Sequence, residues 1–440
     1  MKELFFTLAD HAIAGLEGDE VLLLNFNGEV TDFVRFNHAQ VRQPMTVRQA
    51  HLGLTLIDGM RRNEVTLTLA GTPLQDRGTV TAAVQSLRAE LAHLPEDPYL
   101  LYSTEATRSE RIDAGALPGA ASAIEDVVEA ARGTDLVGLL ASGPVVRGFA
   151  SSAGARHWHA VDAFLLDWSL FHSGDKAVKC AWSGSAWDRA ELDRRIGDAR
   201  EHLAHLGTSP RTLEPGEYRA YLAPAALDEL LWMLSWGGVS EKAQRTKQSC
   251  IQKLVDGQAA FSPLVGITED IAGGLAPAFD EAGFTKPPRI DLVRDGRRGG
   301  SMVSPRTGAE YGIPSNGASE DEGMAAMAVD AGTLREEDVL QTLDTGLYVG
   351  NLHYLNFSDR ANGRVTGMTR FATFWVERGR IAAPVNVMRW DDTLYRMLGD
   401  NLEALTDRPQ WILDNRTYGQ RSVQTSRVPG ALLQKMAFTL

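Results

Sequence analysis

The 440-residue sequence predicts an α+β protein, with an N-terminal domain of antiparallel sheet and helices and a C-terminal domain that is largely β with a few helices. Three observations carry this reading: strand-like alternation over residues 21–69, helical periodicity in segments that do not alternate regularly with strands, and a last third that returns to strand patterning. In order along the chain, Leu4, Leu8, Ile13 and Leu16 recur at helical spacing until Gly18-Asp19 ends the pattern, and Val21-Leu22-Leu23-Leu24 opens an extended one. Val30, Val34, Phe36, Leu52, Leu54, Leu56, Val65, Leu67 and Leu69 then alternate with polar residues in stretches, and Asn27-Gly28 predicts a hairpin between two of the runs. Helices are expected over 80–94 and 120–131, a short buried strand over 136–140, aromatic-rich strands between Ser151 and Trp187, and a charged amphipathic helix over 188–206. Gly207-Thr208-Ser209-Pro210, with Pro215-Gly216 close behind, predicts a boundary that divides the chain into domains 1–208 and 209–440. Beyond it the patterns predict a strand over 218–222, a helix over 224–236, a polar helical stretch to Leu254 and a Gly/Pro-rich region to Gly323. Strands follow, with Gly363, Gly367 and Gly379 as turn positions.

A hydrophobic share of 44% with 23% charged residues is a globular balance and excludes fibrous and disordered classes. The formal charge of -13 repels phosphate backbones and anionic headgroups, so nucleic acid is not an expected partner. No apolar run approaches the roughly 18 residues needed to span a bilayer, and the opening Met1-Lys2-Glu3-Leu4-Phe5-Phe6 is interrupted by Asp10 and His11 before a signal-type core develops. With only Cys180 and Cys250, a disulfide framework is excluded, and the expected location is cytoplasmic, with no membrane partner.

The candidate chemical motifs are weak. His157 and His159, two apart in an expected strand, share a face, but only Asp162 stands near enough to add a third ligand, so exposed strand histidines are the expected outcome. Glu201-His202 with His205 falls on the polar face of a charged helix, where solvated side chains are expected. Ser173-Gly174-Asp175-Lys176 fits the Ser-x-x-Lys of some serine hydrolases, yet it follows an aromatic strand and reads as a turn. No Gly-x-Ser-x-Gly, phosphate-binding loop or His-Glu-x-x-His is present.

The ordered run from Gly346-Leu347-Tyr348-Val349 through Asn362-Gly363-Arg364-Val365-Thr366-Gly367-Met368-Thr369-Arg370 to Glu377-Arg378-Gly379-Arg380-Ile381-Ala382-Ala383-Pro384-Val385, followed by Arg389, Asp391 and Arg396-Met397-Leu398-Gly399, resembles the C-terminal signature of the TldD/TldE (PmbA) peptidase family. The resemblance extends more faintly over the whole chain, including a turn at Val365-Thr366-Gly367. TldD-type members are zinc peptidases with His-Glu-x-x-x-His on a helix and a further Cys ligand near the C-terminus. The resemblance aligns Trp232 with the first histidine, Met233 with the glutamate, Gly237 with the second histidine and Tyr418 or its neighbour with the cysteine. None of these can bind zinc or activate a bound water as the family motif does.

What the resemblance implies is a TldE-type, metal-free subunit that pairs with a TldD-like zinc peptidase chain and helps thread an unfolded peptide into a shared chamber. Zinc is expected in the partner and no cofactor in this chain. A self-associating peptide-binding or regulatory protein without a peptidase partner is the alternative, an enzyme built on Ser173 and Lys176 is a third, and for the chain alone a homodimer is left open. A helical wheel places Leu227, Leu230, Leu231 and Leu234 in one stripe, with Trp232 and Trp236 on roughly the opposite side beside Glu229. Because the aligned positions in TldD-type chains carry the metal ligands of the cleavage chamber, the resemblance implies that Trp232, Trp236 and Tyr418 lie at the chamber or the subunit contact.

Overall fold

The computed structural model describes residues 1–174 and 176–439. A first sheet holds seven strands: β1 (Val21–Asn37), β2 (Gln40–Asp58), β3 (Arg61–Thr68), β4 (Arg108–Asp113), β5 (Asp135–Ser151), β6 (Arg156–Ser173) and β7 (Lys176–Gly184). Their order is β3-β2-β1-β5-β6-β4, with β7 also on β6, and every neighbour is antiparallel except β4 with β6. Because side chains alternate across a strand, Leu22, Leu24, Phe26, Val34 and Phe36 of β1 turn toward helices. At one end these are α1 (Lys2–Ile13) and α2 (Pro73–Leu91); at the other they are α3 (Ala120–Ala130) and α4 (Arg189–Leu206). Asp188 caps α4, its side chain accepting from the Ala190 N–H. The opposite face of the sheet meets the second half of the chain, where Val161, Ala163 and Leu165 pack on Leu275 and Leu413.

The second half begins with β8 (Gly216–Leu222) and α5 (Pro224–Trp232), then the short helices α6 (Glu241–Arg245) and α7 (Gln252–Val255). Next come β9 (Ile267–Glu269), β10 (Ile290–Arg294), β11 (Arg297–Arg298), α8 (Pro305–Tyr311), β12 (Ala326–Val329) and α9 (Val339–Leu343). Strands β13 (Gly346–Asp359), β14 (Arg364–Glu377), β15 (Arg380–Pro384), β16 (Arg389–Thr393), β17 (Leu402–Leu405), β18 (Gln410–Leu413), β19 (Thr425–Val428) and β20 (Ala431–Phe438) complete it. They form a six-stranded sheet, β11-β10-β9-β12-β19-β18, and a seven-stranded one, β13-β8-β20-β16-β14-β15, with β17 on β20. Pairing of β13 with β14 closes five strands of the latter into a ring, so those strands have no free edge against each other. The α+β class expected from the sequence is the class observed.

Several local expectations are corrected. Asn27-Gly28 makes no hairpin: β1 runs straight through it, with Gly28 paired to Ala50 on one side and Val146 on the other. A Cβ at Gly28 would stand 2.9 Å from the Phe26 ring, so this glycine serves close packing rather than a turn. The actual turn is His38-Ala39, both left-handed at φ 51° and 54°. Gly367 likewise lies inside β14, opposite Trp390, whose ring would meet a Cβ at 2.9 Å; only Gly363 and Gly379 of the three glycines have the positive φ of a turn. Residues 136–140 belong to a strand of 17 residues, and the polar stretch to Leu254 contains only two helices, of five and four residues.

Candidate functional site

The stripe expected on α5 is buried: Leu227, Leu230, Leu231 and Leu234 are all at 0–1% exposure in the largest core of the second half. The helix itself ends sooner than expected. It stops at Trp232, continues as a single 3-10 turn over Met233–Ser235, and leaves helical geometry at Trp236 (φ -84°, ψ 48°). Gly237 follows at φ 88°, and Gly238 packs so closely on the Leu234 carbonyl and Cys250 Sγ that a Cβ would lie under 3.0 Å from both. This glycine pair is the physical reason for the stop, as at many helix C-termini. Trp232 and Trp236 are therefore not consecutive positions on one helix face. Trp232 is half-buried against the core, whereas Trp236 is 52% exposed, edge-on to Phe357.

Both indoles nevertheless line one cavity of about 1270 Å³. Its walls come from β7, α4, α5, the loop before β12, the start of α9, the bulge at Gly350-Asn351 in β13, and the segment running from β18 to Arg416. Tyr418 is not among the lining residues. It is fully exposed at the tip of the loop whose base, Asp414-Asn415-Arg416, does reach the cavity.

Asp228, one turn before Trp232, is 8% exposed at the cavity wall, and nothing in the sequence pattern marked it. Its carboxyl accepts from Ser426 Oγ at 2.5 Å, tying α5 to β19. Burial pushes its pKa up to about 7, against the lowering effect of the Ser426 and Trp232 hydrogen bonds, and Glu229 adds a further raising charge. Enclosure also raises the Glu229 carboxyl, opposed by Lys179. A patch of partly buried apolar side chains, Leu340, Tyr348 and Ile381, forms another part of the wall.

The other sequence candidates fall elsewhere. His157 and His159 are not exposed strand residues; both are fully buried. His157 bonds Thr107 Oγ1 at 3.0 Å and Ser109 Oγ at 2.7 Å and stacks on Phe279, while His159 meets the Leu275 carbonyl at 2.9 Å. Burial, helped by Arg111, pushes the His159 pKa down to about 4, so it is a neutral hydrogen-bonding group. His202 is not solvated either: its ring packs 5.3 Å from both Tyr348 and Phe374, and burial lowers its pKa. Ser173 and Lys176 pair across the β6–β7 turn; Asp175 lies outside the described residues.

Fold and cavity together define the class: an α+β protein whose second half builds a ring-closed sheet and, with the first, a large charged cavity. A sequence model of the PmbA/TldA metallopeptidase C-terminal domain matches residues 215–440, and the chain belongs to this PmbA/TldD-type family. TldE from Thermococcus kodakarensis has the same fold at a TM-score of 0.76 and 13% identity, covering 100% of both chains. So does a candidate modulator of a DNA gyrase from Thermotoga maritima, at 0.75 and 12% identity, covering 99% of this chain and 100% of that one. A third, a candidate modulator of DNA gyrase from Bacteroides thetaiotaomicron, matches at 0.73 and 15% identity, covering 100% and 98%. No curated protein matches the sequence. No helix among the described residues is long and apolar enough to cross a membrane.

The family name implies a metal, and the residues at the aligned positions do not fit one. Indole is not a zinc ligand, Met cannot carry protons, and Gly237 has no side chain. Among the described residues no group of three or more His, Cys, Asp or Glu is placed to hold an ion.

Proposed function

We propose that this chain is a non-catalytic, metal-free subunit of a TldD/TldE-type zinc peptidase, forming part of the chamber in which a TldD-like partner cleaves or matures unfolded peptides. The observation that carries this reading is the α5 terminus. At the positions aligned with His-Glu-x-x-x-His, Trp232, Met233 and Gly237 supply neither ligand nor base, yet Trp232 and Trp236 still border a cavity larger than the ~300–1,000 Å³ usual for small-molecule sites. Such a space suits a polymer segment. The chain holds no zinc of its own in this reading, and the location is cytoplasmic.

The test is co-purification with a TldD-like chain, followed by peptidase assays and zinc analysis of each chain and of the mixture. The expected result is about one zinc in the partner, none in this chain, and cleavage only by the mixture, lost on chelation. Chelator-resistant cleavage by this chain alone, or a stable homodimer that never associates with the partner, would replace the reading with one of its alternatives.

A further inference from the structure

The charges at the cavity wall are not balanced. Every Lys and Arg there lies within 4.0 Å of a carboxylate of this same chain: Lys179 with Asp167 and Arg416 with Asp414 are two of the five. Five carboxylates at the wall, Glu201, Asp228, Glu229, Asp321 and Glu336, have no Lys or Arg within that distance among the described residues, although Lys179 acts on Glu229 and Arg194 on Glu336 from farther off. They come from separate stretches of chain, on α4, α5, the loop before β12 and the approach to α9, so the surplus is built by the tertiary fold. Asp228 is nine-tenths buried with only uncharged hydrogen-bond partners, Ser426 and Trp232, and with its pKa pushed up to about 7 it is only partly ionised at neutral pH, so the standing surplus rests on the other four. In a partly desolvated cavity an unneutralised carboxylate attracts a cation more strongly than it would at an open surface.

The second feature is apolar and independent of the first. Trp236 is a half-exposed indole, the ring type that best attracts a cation, and Leu340, Tyr348 and Ile381 form an uncharged patch in the same cavity. We propose that this cavity selects cationic stretches of unfolded polypeptide, with lysine or arginine side chains held between the unpaired carboxylates and Trp236 and a neighbouring apolar side chain seated on the Leu340–Tyr348–Ile381 patch. This selectivity deepens the peptide-handling role proposed above and rests on it. Acidic segments meet a wall on which carboxylates outnumber cations and each Lys or Arg already stands within 4.0 Å of a carboxylate, so the remaining charge repels them.

Direct binding to this chain alone tests the selectivity without a peptidase partner, so its outcome is separable from that of the association and cleavage assays. A short fluorescein-labelled peptide of Lys, Ser and Phe is compared by anisotropy with its counterpart carrying Glu for every Lys. The lysine peptide is expected to bind at least about tenfold more tightly, and to lose most of that advantage as salt rises from about 0.05 to about 0.5 M. The variant Glu201→Gln/Glu229→Gln/Glu336→Gln, which alters only exposed or half-buried side chains, is expected to bring the two affinities to within about twofold of each other. Salt dependence of the unaltered chain gives a second readout should that variant fold poorly. Equal affinities, a preference for the glutamate peptide, no binding of the lysine peptide, or undiminished discrimination by the folded variant would each overturn the proposal.

Discussion

Replacing Asp228 by Asn should make the protein more stable at alkaline pH and flatten its pH dependence. The carboxyl is 8% exposed, and burial holds its pKa near 7 in the fold, against an ordinary value of 3.8. A raised carboxyl pKa means that the folded state binds the proton more tightly than the unfolded chain. The group's contribution is therefore fully present below about pH 4 and is lost as pH rises through 7. Between pH 5 and 8 the loss spans about two pH units, or about 2.7 kcal/mol at 1.36 kcal/mol per unit. Asn keeps an acceptor for the Ser426 hydroxyl and has no charge to desolvate, so the variant should lack this slope. Urea unfolding followed by tryptophan fluorescence, with indoles at 232 and 236 adjoining the helix, measures the relevant transition even if the whole chain does not unfold in one step. The reasoning fails if parent and variant lose stability in parallel from pH 5 to pH 8, or if the variant is the less stable at pH 8.

The two tryptophans should respond differently to truncation. Trp232→Ala, which empties space against the main core, is expected to lower stability by roughly 2–3 kcal/mol, whereas Trp236→Ala, at an exposed position, should change it by under about 1 kcal/mol. Thermal denaturation of the single variants checks this, and the reverse order would show that Trp236 is the anchored residue. Arg421, 2% exposed, donates to the Gly143 carbonyl at 2.9 Å and the Ala163 carbonyl at 2.7 Å, pinning residues 414–424 to the first sheet. Arg421→Ala should destabilise by roughly 3 kcal/mol and expose that segment to limited proteolysis, and an unchanged digestion pattern would argue against this pinning role.

What the sequence disclosed about the fold was what local periodicity encodes. Helices α1, α3 and α4 begin and end within a few residues of expectation because a 3.6-residue pattern and a cap such as Asp188 are short-range signals. The errors sit where long-range pairing overrides local preference. Asn27-Gly28 has the residues of a tight turn, but β1 is bonded on both flanks there, and the hydrogen bonds and packing of an interior strand outweigh that preference. His157 and His159 pattern as exposed strand residues because the groups that satisfy them, Thr107, Ser109 and Leu275, lie about 50 and 116 residues away. Asp228 was invisible for the same reason: one acidic residue beside a leucine stripe looks like an edge position until Ser426, 198 residues on, is folded against it.

The α5 terminus joins these levels of description. The resemblance placed non-ligands at three motif positions, which on sequence alone is a loss of side chains. The fold adds a loss of backbone geometry. For residues 232 and 237 to share an ion, the chain between them must bring their side chains together on successive turns, and here helical geometry ends before Trp236. Gly237 takes φ 88°, where an L side chain is strained, and a Cβ there would lie 2.8 Å from Arg360 Nη2. Arg360 also bonds the Trp236 carbonyl, holding the unwound turn in place. Histidines at both positions would thus not by themselves recreate a metal site. The segment is organised around its own contacts, the Trp232 packing, the Asp228–Ser426 bond and the Gly237-Gly238 stop, and these turn a helix end that could have offered ligands into a wall of the cavity.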